Sequence, residues 1–185
     1  MFFAYDQYAD FEIAHTLFFL KKLGKAVIKT VSVNGKPVES LGGLKTKADI
    51  SMHDVIIEEY DLLLLPGGDG ITELIEVDKI STILKQAFCL EIPIASICGS
   101  AVLLAKAGIV KNKKFTCNLS TFNQNSALFN DCIYTGADIE VATGFITSKG
   151  TAFPEFTIET CKQVGLLKEN DQADSVLRFC RGQSD

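Results

Sequence analysis

One cysteine of this chain stands in a setting that suits chemistry. Cys98 lies within Ala95-Ser96-Ile97-Cys98-Gly99-Ser100-Ala101, where an apolar run meets a helix-forming one. Small flanking residues are what a sharp strand-to-helix turn requires, as in nucleophile elbows, although the Gly-x-Ser-x-Gly spelling is absent. Such a turn pushes the sulfur out at the sheet edge beside a helix N-terminus, where free N–H groups favour a thiolate. The competing reading is an ordinary buried cysteine ahead of a helix. A second feature is Pro66-Gly67-Gly68-Asp69-Gly70, directly after an apolar run. Its backbone N–H groups could donate to a developing oxyanion. It is neither a Walker loop nor a Gly-x-Gly-x-x-Gly fingerprint, so nucleotide binding has no support. The third is Glu12, near the start of the first helix. Locally it can do no more than favour the helix N-terminus. Facing Cys98, its protonated carboxyl would donate to a thiolate or an oxidised sulfur.

The elements that must position these groups alternate along the chain. Strands are expected over residues 2–5, 26–33, 61–65, 92–97, 115–117, 132–134, 139–142 and 145–147. Helices are expected over 9–23, 72–88, 99–108, 120–128, 154–164 and 172–180, and a hairpin over 38–48 around Gly42-Gly43. Ile13, Leu17, Leu20 and Leu23 repeat at helical spacing, and Lys21, Lys22 and Gly24 mark that helix's end. Leu62-Leu63-Leu64-Leu65 is apolar without alternation, as when both faces of a strand are covered. The alternation implies an α/β fold: a mainly parallel sheet with helices on both faces and ligands at the carboxyl ends of its strands. The 185 residues suit a single domain, 1–185.

Composition narrows the classes. With a net charge of −5 and scattered lysines and arginines, the chain offers no basic face for nucleic acid. Its apolar runs are too short to span a bilayer, so no membrane partner is expected. The N-terminus lacks a basic region and carries Asp6 and Asp10, unlike a secretory signal, so a cytoplasmic location is expected. Six cysteines occur without a Cys-x-x-Cys pair, and there are only two histidines, so neither zinc nor a disulfide framework is called for. Cys89, Cys132 and Cys161 read as small buried hydrophobes.

Four segments, Tyr8-Ala9-Asp10-Phe11-Glu12, Leu62-Leu63-Leu64-Leu65-Pro66-Gly67-Gly68, Ala95-Ser96-Ile97-Cys98-Gly99 and Gly150-Thr151-Ala152-Phe153-Pro154-Glu155-Phe156, resemble the ThiJ/PfpI family. That family, within the class I glutamine amidotransferase-like superfamily, includes the Parkinson-disease-associated protein deglycase and PfpI-type intracellular proteases. The resemblance covers nearly the whole chain. It implies a flavodoxin-like three-layer sandwich, a nucleophile at Cys98, Glu12 as its partner, and oxyanion donors at the N–H groups of Gly68 and Gly99. It also implies a homodimer. Gly67, Asn118 and His15 are further pocket candidates. His15 lies three residues after Glu12, so it could reach the pocket or a subunit interface; the alternative is a structural helix histidine. His53, in a polar stretch, reads as a surface residue.

Departures from the pattern shape the expected chemistry. Protease-type relatives have histidine where Gly99 stands, amidotransferases where Phe153 stands, and the deglycase branch often where Asn118 stands. Isonitrile hydratases have aspartate in place of Glu12. Peptide hydrolysis needs an acid for the departing amine, commonly histidine, and no Cys-His pair can be assigned here. The expected function is therefore attack of Cys98 on a small reactive carbonyl such as a 2-oxoaldehyde, with Glu12 moving the proton, in a glyoxalase- or deglycase-like stress-protective role. The partner is a small-molecule substrate, and no cofactor or metal is required. Two alternatives stand: an oxidative-stress sensor through Cys98 oxidation, and an amidase- or protease-like hydrolase.

Overall fold

In the computed structural model the chain is described over residues 1–183. Strand β1 (Phe2–Phe3) leads into helix α1 (Phe11–Gly24), and strand β2 (Thr30–Ser32) follows. A hairpin, β3 (Val38–Glu39) and β4 (Lys45–Thr46), precedes β5 (Ile50–Ser51) and β6 (Leu63–Leu65). Helices α2 (Ile71–Leu74) and α3 (Asp78–Cys89), strand β7 (Ile94–Ile97) and helix α4 (Ala101–Lys106) come next. Then follow β8 (Lys114–Phe115), α5 (Leu119–Gln124), β9 (Ile133–Tyr134), β10 (Ile139–Ala142), β11 (Phe145–Ser148), α6 (Phe153–Gln163) and α7 (Asn170–Cys180).

The main sheet has seven strands in the order β10-β11-β7-β6-β1-β2-β5, and only β10 runs antiparallel to its neighbour. Helices α1, α6 and α7 pack together, while α3 packs on α4 and β7. This is the mainly parallel α/β sandwich expected from the alternation, in the flavodoxin-like form implied by the resemblance. From β1 the chain builds outward through β2 to β5, then returns to the other side of β1 with β6, β7 and β11. The reversal lies between β1 and β6, and in such sheets the crevice beyond the carboxyl ends of strands at the reversal is where ligands bind.

Local chemistry explains the elements. The Asp10 carboxylate accepts from the Phe11 N–H at 2.8 Å and caps α1, which ends beyond Lys21 and Lys22 at a left-handed Lys25. Leu63, Leu64 and Leu65 are all buried because helices cover both faces. Helix α3 buries Ile80, Ile83, Leu84 and Ala87, a stripe at i, i+3, i+4 and i+7.

Several expectations are corrected. The helix expected over 72–88 is two: Val77 is extended (ψ 100°), and the Ile75 carbonyl, outside α3, is taken by the Lys106 ammonium. The helix expected over 99–108 opens as a 3-10 turn, Cys98–Ser100, before the six residues of α4. The strand expected over 26–33 is three residues, because only Thr30–Ser32 pairs with both β1 and β5. Cys89 is exposed rather than buried, since it ends α3 off its apolar stripe; Cys132 is half-buried and Cys161 buried. His53 is exposed, as expected.

Candidate active site

Three of the parallel strands deliver the reading's central residues to one place. At the end of β7, Ile97 is extended, and Cys98 then turns to φ 61°, a left-handed conformation that is costly for a side-chain-bearing residue. Ser100 holds this elbow by donating to the carbonyls of Ile97 (2.7 Å) and Leu65 (2.9 Å). Beyond β6, the Pro66-Gly67-Gly68 loop is fastened to the segment after β1. The Tyr5 hydroxyl donates to the Pro66 carbonyl at 2.8 Å, and the Ala9 N–H donates to the Gly67 carbonyl at 2.8 Å. In the first turn of α1, Glu12 is 3% exposed, and its Oε2 accepts from the Gly67 N–H at 2.8 Å. Its carboxyl and the Cys98 side chain lie side by side against Gly67 and Gly150.

Two glycines close in on this pair. A Cβ at Gly67 would lie 2.6 Å from the Cys98 Cβ and 2.7 Å from the Glu12 Oε2. One at Gly150 would lie 2.6 Å from the Glu12 Oε1 and 3.3 Å from the Cys98 Sγ. Only bare backbone fits at either place. Asn118 completes the group: its Nδ2 donates to the Cys98 Sγ at 3.1 Å, and its Oδ1 accepts from the Gly150 N–H at 2.9 Å.

Electrostatics bind the thiol and the carboxyl into one unit. Burial pushes the Glu12 carboxyl above its usual range, opposed by its hydrogen bonds with Cys98 and Gly67. Burial, then the facing Glu12 charge, pushes the Cys98 thiol well up, opposed by the Gly99 N–H. Both shifts point the same way: the site resists holding two negative charges, so a proton leaving the Cys98 sulfur is best held by Glu12. The cavity over the pair measures about 520 Å³. Ile71, Ile75 and Val102 supply an apolar wall, and Thr121, Gln124 and Asn125 a neutral polar one. Gly68 and Gly99 also line it, while Glu12 and Asp69 are the only charged residues among the described ones that do. A larger groove of about 620 Å³ lies at the amino ends of the strands, lined by Leu17, Leu20, Ile28, Leu62 and Val164, with no cysteine or histidine.

Of the candidate residues, Cys98, Glu12, Gly67, Gly68, Gly99 and Asn118 are gathered in this place, and His15 is not. The His15 ring packs against Phe153 (5.5 Å between centroids) and Phe179 (6.4 Å), with its Nδ1 buried and unpartnered. One turn along α1 from Glu12, it meets the aromatic rings of α6 and α7 instead of the cavity. Glu155 is tied to Arg181 as an ion pair, so it does not serve the sulfur. Nor does Cys98 gain a long helix dipole, because a 3-10 turn and six residues follow it; the donors near its sulfur are local N–H groups. Gly150 opened a family-like segment in the sequence but was not named as a site residue, although it stands two residues beyond β11, which pairs with β7. Position after a sheet strand was the signal that could have found it.

Known proteins resemble this chain over most of its length. A Bacillus subtilis (strain 168) protein named uncharacterized protease YoaZ is 30% identical over 155 residues, covering 81% of this chain and 72% of that protein. The glutathione-independent glyoxalase DJR-1.2 of Caenorhabditis elegans is 28% identical over 145 residues, covering 77% of this chain and 74% of that one. The solved structure of the DJ-1 superfamily protein Atu0886 from Agrobacterium tumefaciens shares the fold. It has a TM-score of 0.86 at 23% identity, over 98% of this chain and 96% of that one. The family model described as DJ-1/PfpI matches residues 1–163, ending where α6 ends, and the chain belongs to the DJ-1/PfpI family.

Proposed function

We propose that this protein is a cysteine-dependent enzyme that consumes small reactive carbonyls of the 2-oxoaldehyde type. The observation that carries the reading is a thiol and a buried carboxyl packed together between Gly67 and Gly150, in a cavity lined, among the described residues, by no histidine. The Cys98 thiolate bonds to the aldehyde carbon, and the carbonyl oxygen takes the proton held by Glu12, giving a hemithioacetal. The Glu12 carboxylate then removes the proton from that carbon. The C–H electron pair forms the C=C bond of an enediol while the hydroxyl proton of the hemithioacetal passes to the neighbouring carbonyl oxygen; Glu12 then returns its proton to the neighbouring carbon, the first carbon's C=O re-forms, and a thioester is left. Water cleaves the thioester to a 2-hydroxy acid and returns the proton to the Cys98–Glu12 pair. The sum is addition of one water and an internal hydride-level shift, with no external oxidant. The N–H groups of Gly68 and Gly99 stand by to receive the oxyanion. Nothing in this sequence expels an amine, so histidine is not needed.

The relative named a glyoxalase supports this chemistry. The one named a protease points to hydrolysis, but the ion-paired Glu155 and the histidine-free cavity count against an amine leaving group. The six free thiols fit a reducing compartment, which favours the cytoplasm. The test is loss of methylglyoxal and formation of lactate by the intact protein, with Cys98→Ser and Glu12→Gln alongside and casein as the peptide control. Both variants should lose activity by about 100-fold or more, and casein should stay uncut. An intact protein that leaves methylglyoxal untouched refutes the reading. Casein cleavage abolished by Cys98→Ser would replace it with the hydrolase.

A further inference from the structure

The thiol proton has two positions. On sulfur, it leaves a thiol facing a carboxylate; on Glu12, it leaves the reactive thiolate facing a carboxylic acid. The Gly67 N–H donates to the Glu12 Oε2 at 2.8 Å and favours the first arrangement. For the thiolate to form, the sulfur needs donors that outweigh that bond. The Gly99 N–H is one. The other is Asn118, and its orientation is decided by its neighbour. The Gly150 N–H can only donate, so it takes the Asn118 Oδ1 at 2.9 Å, and the Nδ2 is left facing the Sγ at 3.1 Å. An amide N–H donates more strongly to an anionic sulfur than to a neutral thiol.

We propose that Asn118 is a catalytic residue: its amide N–H, aimed by the Gly150 backbone, holds the Cys98 sulfur as an anion and so moves the thiol proton onto Glu12. The step balances. The S–H bond breaks, an O–H bond forms on the Glu12 carboxylate, and the pair carries one negative charge before and after. Asn118 thereby stabilises the thiolate as an imidazolium would. It cannot also relay a proton, because an amide does not titrate at working pH. That division suits carbonyl addition, where Glu12 alone moves the proton, and it fails for amine expulsion. The proposal rests on Cys98 being the reactive thiol of the proposed reaction.

The test reads the sulfur and not the substrate. The rate of Cys98 alkylation by iodoacetamide, followed by peptide mass spectrometry on the full chain, is measured from pH 5 to 10. Asn118→Ala should raise the midpoint and slow labelling at pH 7 by about tenfold. Asn118→Asp keeps the shape but turns the donor into a charged acceptor, and should slow it by about 100-fold. Asn118→His, with a ring N–H in the same place, should bring the midpoint back toward the native one. Asn118 is half-buried at the cavity wall, so loss of its side chain leaves the core packed. If Asn118→Ala does not fold by circular dichroism, the isosteric Asp variant decides. A native midpoint in the folded variants overturns the role of Asn118, and methylglyoxal turnover by the intact protein tests the proposed reaction separately. Absent turnover with a shifted midpoint refutes the reaction and supports the role of Asn118.

Discussion

At the residue scale, Glu12 carries a cost that can be measured. A carboxyl at 3% exposure, raised by burial above its ordinary 4.5, keeps a proton that the unfolded chain gives up. The folded state therefore binds more protons than the unfolded one above pH 4.5. Its contribution to stability is complete below that value and is lost as pH climbs through the folded one. Glu12→Gln removes the ionisation while keeping the shape. Chemical unfolding at pH 5 and pH 8 should show native stability falling with pH and the variant nearly level. The variant should be the more stable of the two at pH 8. Equal slopes would mean that Glu12 is charged in the fold. The gain in stability should accompany the loss of activity, because the same buried carboxyl moves the proton.

At the element scale, the start of α1 is joined to the β3–β4 hairpin through one side chain. Asp10 caps Phe11 with one oxygen and accepts from the Ser40 hydroxyl with the other at 2.5 Å. Ser40 in turn receives the Leu44 N–H at 3.0 Å. Leu41, in the hairpin turn, lines the cavity. The residue that fixes the Glu12 helix therefore also fixes part of the cavity rim. Asp10→Ala should cost on the order of 1 kcal/mol in thermal unfolding. It should also open the turn at residues 40–44 to limited proteolysis. A melting loss without new cleavage would show that the cap acts on α1 alone. Asp10 and Glu12 were both visible in the sequence, but their tasks were not separable there. One caps the helix, and the other, two residues on, turns inward to the sulfur.

At the scale of the whole molecule, one surface looks unfinished. Phe18 (42% exposed) stacks on Phe179 (55%) at 5.8 Å, and the run of rings continues through His15 and Phe153 to Phe11 (55%) at the cavity mouth. A contiguous aromatic patch of this kind marks an association surface, and we infer that a second copy of the chain covers it. Sedimentation at micromolar concentration should give a dimer, and Phe18→Asp with Phe179→Ser should give a folded monomer. A monomeric native chain would end the inference. What the sequence determined by itself was whatever is written in short-range pattern: the alternation that makes a parallel sheet, the apolar β6, the glycine loop and the small residues around Cys98. Each depends on neighbours a few residues apart. It fell short where the deciding partner is distant. Two residues of β5 carry no period to read, and α2 and α3 separate where Val77 turns extended. His15 shares a helix face with Glu12 and still meets different neighbours, because α6 and α7 cover one turn of α1 and the β6 loop covers the other. The bonds from Asn118 to Cys98 and to Gly150 span 20 and 32 residues. Only the tertiary fold, by setting the segment after β8 against the paired ends of β7 and β11, decides that an amide stands beside the sulfur.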